Sequence, residues 1–167
     1  MFTYIINSKK ISVNVVFNLP EVDFKWRTDE RRLRIILSTL IGNSCKFMGI
    51  NGKLDIIISK EKGLLKFIIK DNGRGIKYND LCVLKKSIRS NLCSIVNSDV
   101  SGSNLNLKLA RLLLNYMSPK PDNKLNIESV YEKETSVTFY IRNFLKENDK
   151  QFKQEIVVYK EKKKIKR

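Results

Sequence analysis

LLKFIIKDNGRGI, residues 64–76, joins a strand to a turn that can carry chemistry. Leu64 to Ile69 is apolar almost throughout, the pattern of a strand at the centre of a sheet. It runs without a break into Asp71-Asn72-Gly73-Arg74-Gly75-Ile76. A carboxylate closing a strand, with glycines two and four residues further on, sets an acceptor beside a backbone that turns sharply and lets a flat ligand approach. A buried carboxylate in that place suits an exocyclic amine such as adenine N6. The same segment also reads as an ordinary strand turn, so its neighbours decide.

Upstream, Leu54, Ile56 and Ile58 share one face of a strand, and Glu61-Lys62-Gly63 turns it into the central one. Before that lies a long amphipathic helix. Thr28 is its candidate N-cap, Asp29 and Glu30 suit the first turn, and Leu33, Ile36, Leu37, Leu40, Ile41 and Ser44 recur at three and four. It ends near Phe47 and Gly49. Asn43 and Lys46 share a face of this helix. An amide set among Ile41, Cys45 and Phe47 needs a partner, which a metal-bridged phosphate or a solvated helix edge would each provide. Residues Ile11 to Phe17 form a further strand, ended at Leu19-Pro20.

Downstream, Asn79 or Asp80 caps a short helix to about Lys86, and Ser87 to Ser103 reads as a mobile loop of functional length. A second strong helix starts near Asn104 or Leu105 and stops at Ser118-Pro119-Lys120-Pro121. The small residues from Ser101 to Leu107 open it, as an anion cradle of free N–H groups or as a plain polar cap. Two alternating strands close the domain: Leu125, Ile127 and Ser129, then Val137, Phe139 and Ile141, with a turn at Glu132 to Glu134. The order implies an α/β fold, a two-layer α/β sandwich whose mixed, mostly antiparallel sheet is covered on one face by helices.

The chain has 167 residues, one ordinary domain. Lys and Arg number 33 against 17 Asp and Glu, a net charge of +16 that favours anionic partners and excludes an acidic solvating protein. Nine Lys and Arg against four Asp and Glu lie in residues 146–167, a basic tail or linker, so part of the charge is outside the folded domain of residues 1–145 and a nucleic-acid binder is not favoured. Histidine is absent, which removes imidazole as ligand, base or phosphoacceptor within these residues. Cys45, Cys82 and Cys93 form no CxxC pair and read as thiols of a reduced compartment. No apolar run approaches the ~20 residues of a membrane span, and the first residues lack the pattern of a signal peptide. The expected location is cytoplasmic, as a free protein or as the cytosolic part of something larger, membrane-anchored forms included.

Taken together, four segments resemble the catalytic domains of histidine kinases, a branch of the GHKL ATPases. DERRLRIILSTLIGNSCKF is similar to their N box, DNGRGI to the first glycine box, SGSNLNLKLARLLLNYM to the second, and LNIESVYEKETSVTFYI to the closing hairpin. The resemblance covers roughly residues 8 to 143. It implies the Bergerat fold, with ATP and magnesium as ligands. Asn43 would then coordinate the magnesium and Lys46 would contact phosphate, with Phe47 lining the pocket. Asp71 would accept from adenine N6, with Gly73 and Gly75 making room for the base and Ile76 packing near it. Gly102 would start the phosphate-binding turn with the Leu105 backbone beside it, Thr135 would help hold Asp71 and the adenine, and residues 87–103 would be a lid. The implied activity is that of a sensor kinase, hybrid types included, which passes the γ-phosphoryl to a histidine on a separate dimerisation domain, with a receiver domain as a further partner.

The sequence also departs from the family. Asn104 and Asn106 replace the second and third glycines of GxGLGL, and Thr39 stands where the family has Asn or, in other branches, a Glu base. LCVLKKSIRS stands where an aromatic segment is expected, and Glu134 replaces a Gly. A hydroxyl at 39 is no general base. The alternative reading is a degenerate module that works as a signalling scaffold.

Overall fold

Alternation at period two gives each strand one apolar face, and the sheet is assembled on those faces. The computed structural model describes residues 3–19, 25–89, 102–118, 125–144 and 156–157. Its elements are α1 (Thr3–Ser8), β1 (Ser12–Asn18), β2 (Lys25–Trp26), α2 (Glu30–Phe47), β3 (Lys53–Glu61), β4 (Leu64–Asp71), α3 (Tyr78–Arg89), α4 (Gly102–Met117), β5 (Asn126–Val130), β6 (Glu134–Ile141) and β7 (Ile156–Val157). Five strands form one sheet in the order β1-β3-β4-β6-β5. β1 runs parallel to β3, and the other neighbours pair antiparallel. The mixed, mostly antiparallel sheet is therefore present, with the apolar run of residues 64–69 as its middle strand.

Register brings Ile56, Ile69, Val137 and Ile127 into one row across β3, β4, β6 and β5, all of them buried. Phe67 and Phe139 stack beside that row with ring centroids 4.9 Å apart. Residues between these positions are partly exposed, so the helices pack on one face. α2 contributes Ile36 and Leu40 to the core, and α4 contributes Ala110, Leu114 and Met117. Lys62 and Gly63 both take positive φ, the two-residue turn that suits the twist of a β3–β4 hairpin. No helix among the described residues is long and apolar enough to cross a membrane.

The boundaries differ in places. The N-cap of α2 is Asp29, not Thr28: its carboxylate accepts from the Arg32 N–H at 3.0 Å, while Thr28 is buried. A charged acceptor is the better match for orphan N–H groups at the positive end of the helix. α1, with six residues, carries too little periodicity to mark a helix in the sequence. α3 starts at Tyr78, with Asn79 and Asp80 inside its first turn, and continues past Lys86 to Arg89. Its last turn is tied down by Arg111, whose guanidinium donates to the Ile88 carbonyl. α4 starts at Gly102, so the expected loop of residues 87–103 is helical at both ends, and its remainder, residues 90–101, lies outside the described residues. In the expected tail, Ile156–Val157 pairs antiparallel with Lys25–Trp26.

Phe139 has no exposed surface and stacks on Phe67 in the centre of this face. Phe139→Ala is expected to lower the unfolding free energy by about 3–5 kcal/mol in a urea titration; a loss below about 1 kcal/mol would mean that the face is not packed as described.

Candidate functional site

The alternation that buries Phe67 and Ile69 also buries the last residue of β4, Asp71, which is 5% exposed. A carboxylate there must be solvated by protein. Oδ2 accepts from the Ser44 hydroxyl at 2.7 Å, and Oδ1 accepts from the Gly73 N–H at 3.0 Å. Burial pushes the carboxyl above the ordinary Asp range, and these two bonds offset only part of that rise. A carboxylate has roughly four lone-pair positions, so two occupied ones leave room for a further N–H donor. Ser44, counted in the sequence as a member of the helix stripe, is thus a site residue that periodicity alone did not mark. The signal was a hydroxyl in an otherwise apolar stripe.

The turn after Asp71 is clamped on two sides. Toward α2, the Arg74 N–H donates to the Phe47 carbonyl at 3.3 Å. A Cβ on Gly73 would lie 2.8 Å from Asp71 Oδ1 and 3.0 Å from the Phe47 carbonyl oxygen. Toward the β5–β6 hairpin, the Glu132 N–H donates to the Arg74 carbonyl at 2.7 Å, and the Ile76 N–H donates to Ser129 Oγ at 2.9 Å. Gly75 has φ +62°, and a Cβ on it would lie 2.1 Å from the Val130 carbonyl oxygen. Both glycines therefore admit protein backbone and the Asp71 carboxylate at close range. Ile76 is half-buried against the core.

Thr135 is the β6 partner of Asp71 in register, yet its hydroxyl meets Ser129 Oγ at 2.9 Å. Ser129 also donates to the Glu134 carbonyl at 2.8 Å, which uses its one proton, so the Thr135 hydroxyl is the donor between them. Among the described residues no side-chain hydrogen bond joins the Thr135 hydroxyl to the Asp71 carboxylate. The hydroxyl that holds Asp71 is that of Ser44, because α2 rather than β6 presents an oxygen to the carboxylate.

The end of α2 carries the other expected residues. Phe47 is half-buried, with the Arg74 guanidinium 4.8 Å and the Lys46 ammonium 5.4 Å from its ring centroid. Lys77 stands 5.3 Å from the ring centroid of Tyr131. These three exposed cations lie on the turn after Asp71 and the segments that flank it, and form a cationic rim to it. Asn43 is half-buried, and its Nδ2 is buried with no partner among the described residues. Turning the amide about its last torsion would put an acceptor oxygen in that place. No group of three or more His, Cys, Asp or Glu residues suited to a metal occurs among the described residues. Gly102 and Leu105 stand apart from this network on α4, which packs against α2; Leu105 is exposed. Of the thiols, Cys45 is buried and Cys82 half-buried, and Cys93 lies outside the described residues. Burial pushes the Cys45 thiol up.

A family model described as histidine kinase-, DNA gyrase B- and HSP90-like ATPase matches residues 28–144. Among solved structures, a nucleotide-free catalytic domain of the histidine kinase ThkA is similar, with 20% identity, TM-score 0.63, and coverage of 85% of this chain and 86% of that one. Full-length ShkA in complex with AMPPNP aligns at 19% identity and TM-score 0.64 over 85% of this chain and 27% of that one. The Acinetobacter baumannii histidine kinase AdeS aligns at 19% identity and TM-score 0.56 over 85% of this chain and 59% of that one. No curated protein matches the chain.

Two expectations follow. A raised Asp71 pKa means that this group favours folding most when protonated, below its unfolded value, and that the favourable contribution is lost as pH rises through the folded value. Asp71→Asn removes a buried charge, so it should melt at or above wild type at pH 7, with the gap closing as pH falls toward the ordinary carboxylate range. Wild type melting higher at pH 7 would contradict this. Gly75→Ala should cost more than the ~1–2 kcal/mol of a left-handed backbone alone, because the Val130 carbonyl must move; an unchanged denaturation midpoint would show that the clamp is absent.

Proposed function

Because the chain belongs to the histidine kinase-, DNA gyrase B- and HSP90-like ATPase family, we propose that it binds Mg-ATP at the end of β4 and serves as the catalytic domain of a sensor histidine kinase, plain or hybrid, in a cytoplasmic two-component phosphorelay. The observation that carries this reading is the Asp71 carboxylate, buried between Ser44 and Gly73 with acceptor capacity to spare. An adenine N6 amine supplies the missing donor. Phe47 and Ile76 offer apolar surface to the base, Thr135 lies across from Asp71, and Gly73 and Gly75 keep the turn close to it.

The phosphates would then lie toward the cationic rim. Lys46 contacts them as a point charge, and the free N–H groups at the start of α4, from Gly102 to Leu105, receive the negative end. Asn43 would hold the magnesium, which neutralises and orients phosphate oxygens when bound. What this chain contributes is position and charge, the main currency of phosphoryl transfer. The γ-phosphorus gains a bond to an imidazole nitrogen as its bond to the ADP oxygen breaks; ADP keeps that electron pair and the imidazole releases its proton. The acceptor is not among these 167 residues, which hold no histidine. It belongs to a histidine-containing dimerisation domain, and a receiver domain is the onward partner. Thr39, one turn before Asn43 on α2, offers no base to activate water, which favours transfer to histidine over hydrolysis.

A second reading is a degenerate module that binds nucleotide weakly and acts as a scaffold. It is favoured by Asn104 and Asn106, which lie within a continuous α4 where the family has glycine, Asn106 being exposed. Replacing both with Gly should tighten ATP binding if only the cradle is impaired, and no gain would remove that explanation.

The proposal is tested by titrating a fluorescent ATP analogue with and without magnesium. Asn43→Ala is expected to abolish most of the magnesium dependence, and Ser44→Ala to weaken binding by about three- to tenfold through the freed Asp71 oxygen. The folded wild type failing to bind at any magnesium concentration would overturn the kinase reading and leave the scaffold.

A further inference from the structure

An α-helix leaves its last carbonyls without intrahelical partners, and many helices meet this need with a glycine C-cap. α2 has none: Met48 leaves the helix in extended backbone at φ −77° and ψ 147°. The Ser44 carbonyl takes the Met48 N–H at 3.0 Å, and the Phe47 carbonyl takes the Arg74 N–H at 3.3 Å. The two that remain, with the carbonyl of the cap residue Met48, converge on one ammonium. Lys9 Nζ donates to the carbonyls of Cys45 at 2.9 Å, Lys46 at 3.0 Å and Met48 at 2.8 Å. All three protons of the ammonium are used, and its charge stands at the negative end of the helix dipole.

Lys9 is itself fixed. Its N–H donates to the Ile5 carbonyl at 3.0 Å, and its carbonyl accepts from the Asn51 N–H at 2.7 Å, just after α2 ends. The residue lies before the family-matched residues 28–144. The turn it holds carries Lys46 and Phe47, with Asn43 immediately before them.

We propose that Lys9 is a positioning residue of the nucleotide site, an external C-cap whose ammonium holds the last turn of α2, and with it Asn43, Lys46 and Phe47, in register with Asp71. This rests on the nucleotide reading above. It also makes the α1–β1 segment a handle on the site, since displacing that segment withdraws the cap.

The test uses the full chain. Lys9→Met keeps the reach and removes the charge, Lys9→Arg keeps donors and charge, and Ile141→Val thins the core at the other end of the sheet from Asp71. Amide hydrogen exchange is read without nucleotide, and binding is read by titration of a fluorescent ATP analogue with magnesium. Lys9→Met should speed exchange at the Met48 and Arg74 amides by about tenfold while sparing β4 and β6, and weaken analogue binding by about three- to tenfold. Lys9→Arg should stay within about twofold of wild type in both, and Ile141→Val should not single out the α2 end. If Lys9→Met does not fold, Lys9→Gln, with two donors and no charge, is read in the same way. Unchanged binding by Lys9→Met, or faster exchange spread evenly as in Ile141→Val, would overturn the role of Lys9 alone. Selective exchange in Lys9→Met together with a wild type that binds no analogue would overturn the nucleotide reading, and with it this role, while leaving the cap itself in place.

Discussion

The buried Asp71 carboxylate is the constraint on which the rest of the molecule turns. A carboxylate out of water is costly unless it is well hydrogen-bonded or paired. Among the described residues its partners are neutral, one hydroxyl and one backbone N–H, and no cation pairs with it. Burial therefore still dominates, and the carboxyl is held above its ordinary range. Each partner imposes something on the fold. Ser44 requires the end of α2 to sit against the end of β4. The Gly73 N–H requires a turn with no Cβ, because one would meet both Asp71 and Phe47. The β5–β6 hairpin then locks that turn through Ser129, Val130 and Glu132.

The charges around this group are arranged by depth. The interior offers one carboxylate with neutral donors, and the rim offers Lys46, Arg74 and Lys77. A ligand with a donor amine at one end and phosphates at the other matches that order, and the reverse orientation would bury phosphate against a carboxylate. The end of α2 lies between the two zones, which is why its capping matters. Two of its carbonyls, and that of the cap residue Met48, are satisfied by a lysine from outside the helix.

Most of the fold was legible because it rests on period. Leu64 to Ile69 announced the central strand, Leu33 to Ser44 announced α2, and the closing strands alternate cleanly. The segment DNGRGI was legible because Asp and two Gly leave a local trace. The rest was hidden for physical reasons. The Ser44 to Asp71 bond spans 27 residues and the Lys9 to Cys45 bond spans 36, and no local pattern encodes a contact of that separation. Asp29 displaced Thr28 as the cap through a choice between two competent neighbours. Thr135 lies across from Asp71 in register, but its hydroxyl bonds Ser129 across the β5–β6 hairpin, a pairing that no local pattern marks. Gly75 reads as a ligand-facing glycine in sequence, and only the hairpin shows that it admits the Val130 carbonyl.

The most direct test asks whether Asp71 reads an exocyclic amine. ATP and ITP differ at position 6 of the purine, where an amine is replaced by a carbonyl oxygen. Binding of the two would be compared by competition against one fluorescent analogue, in wild type and in Asp71→Asn. The account predicts that wild type prefers ATP by about tenfold or more, the worth of a charge-assisted hydrogen bond, and that Asp71→Asn, whose amide can donate to the carbonyl, loses or reverses that preference. Equal affinity of wild type for ATP and ITP would contradict it, and would mean that the buried carboxylate serves the fold and not the base.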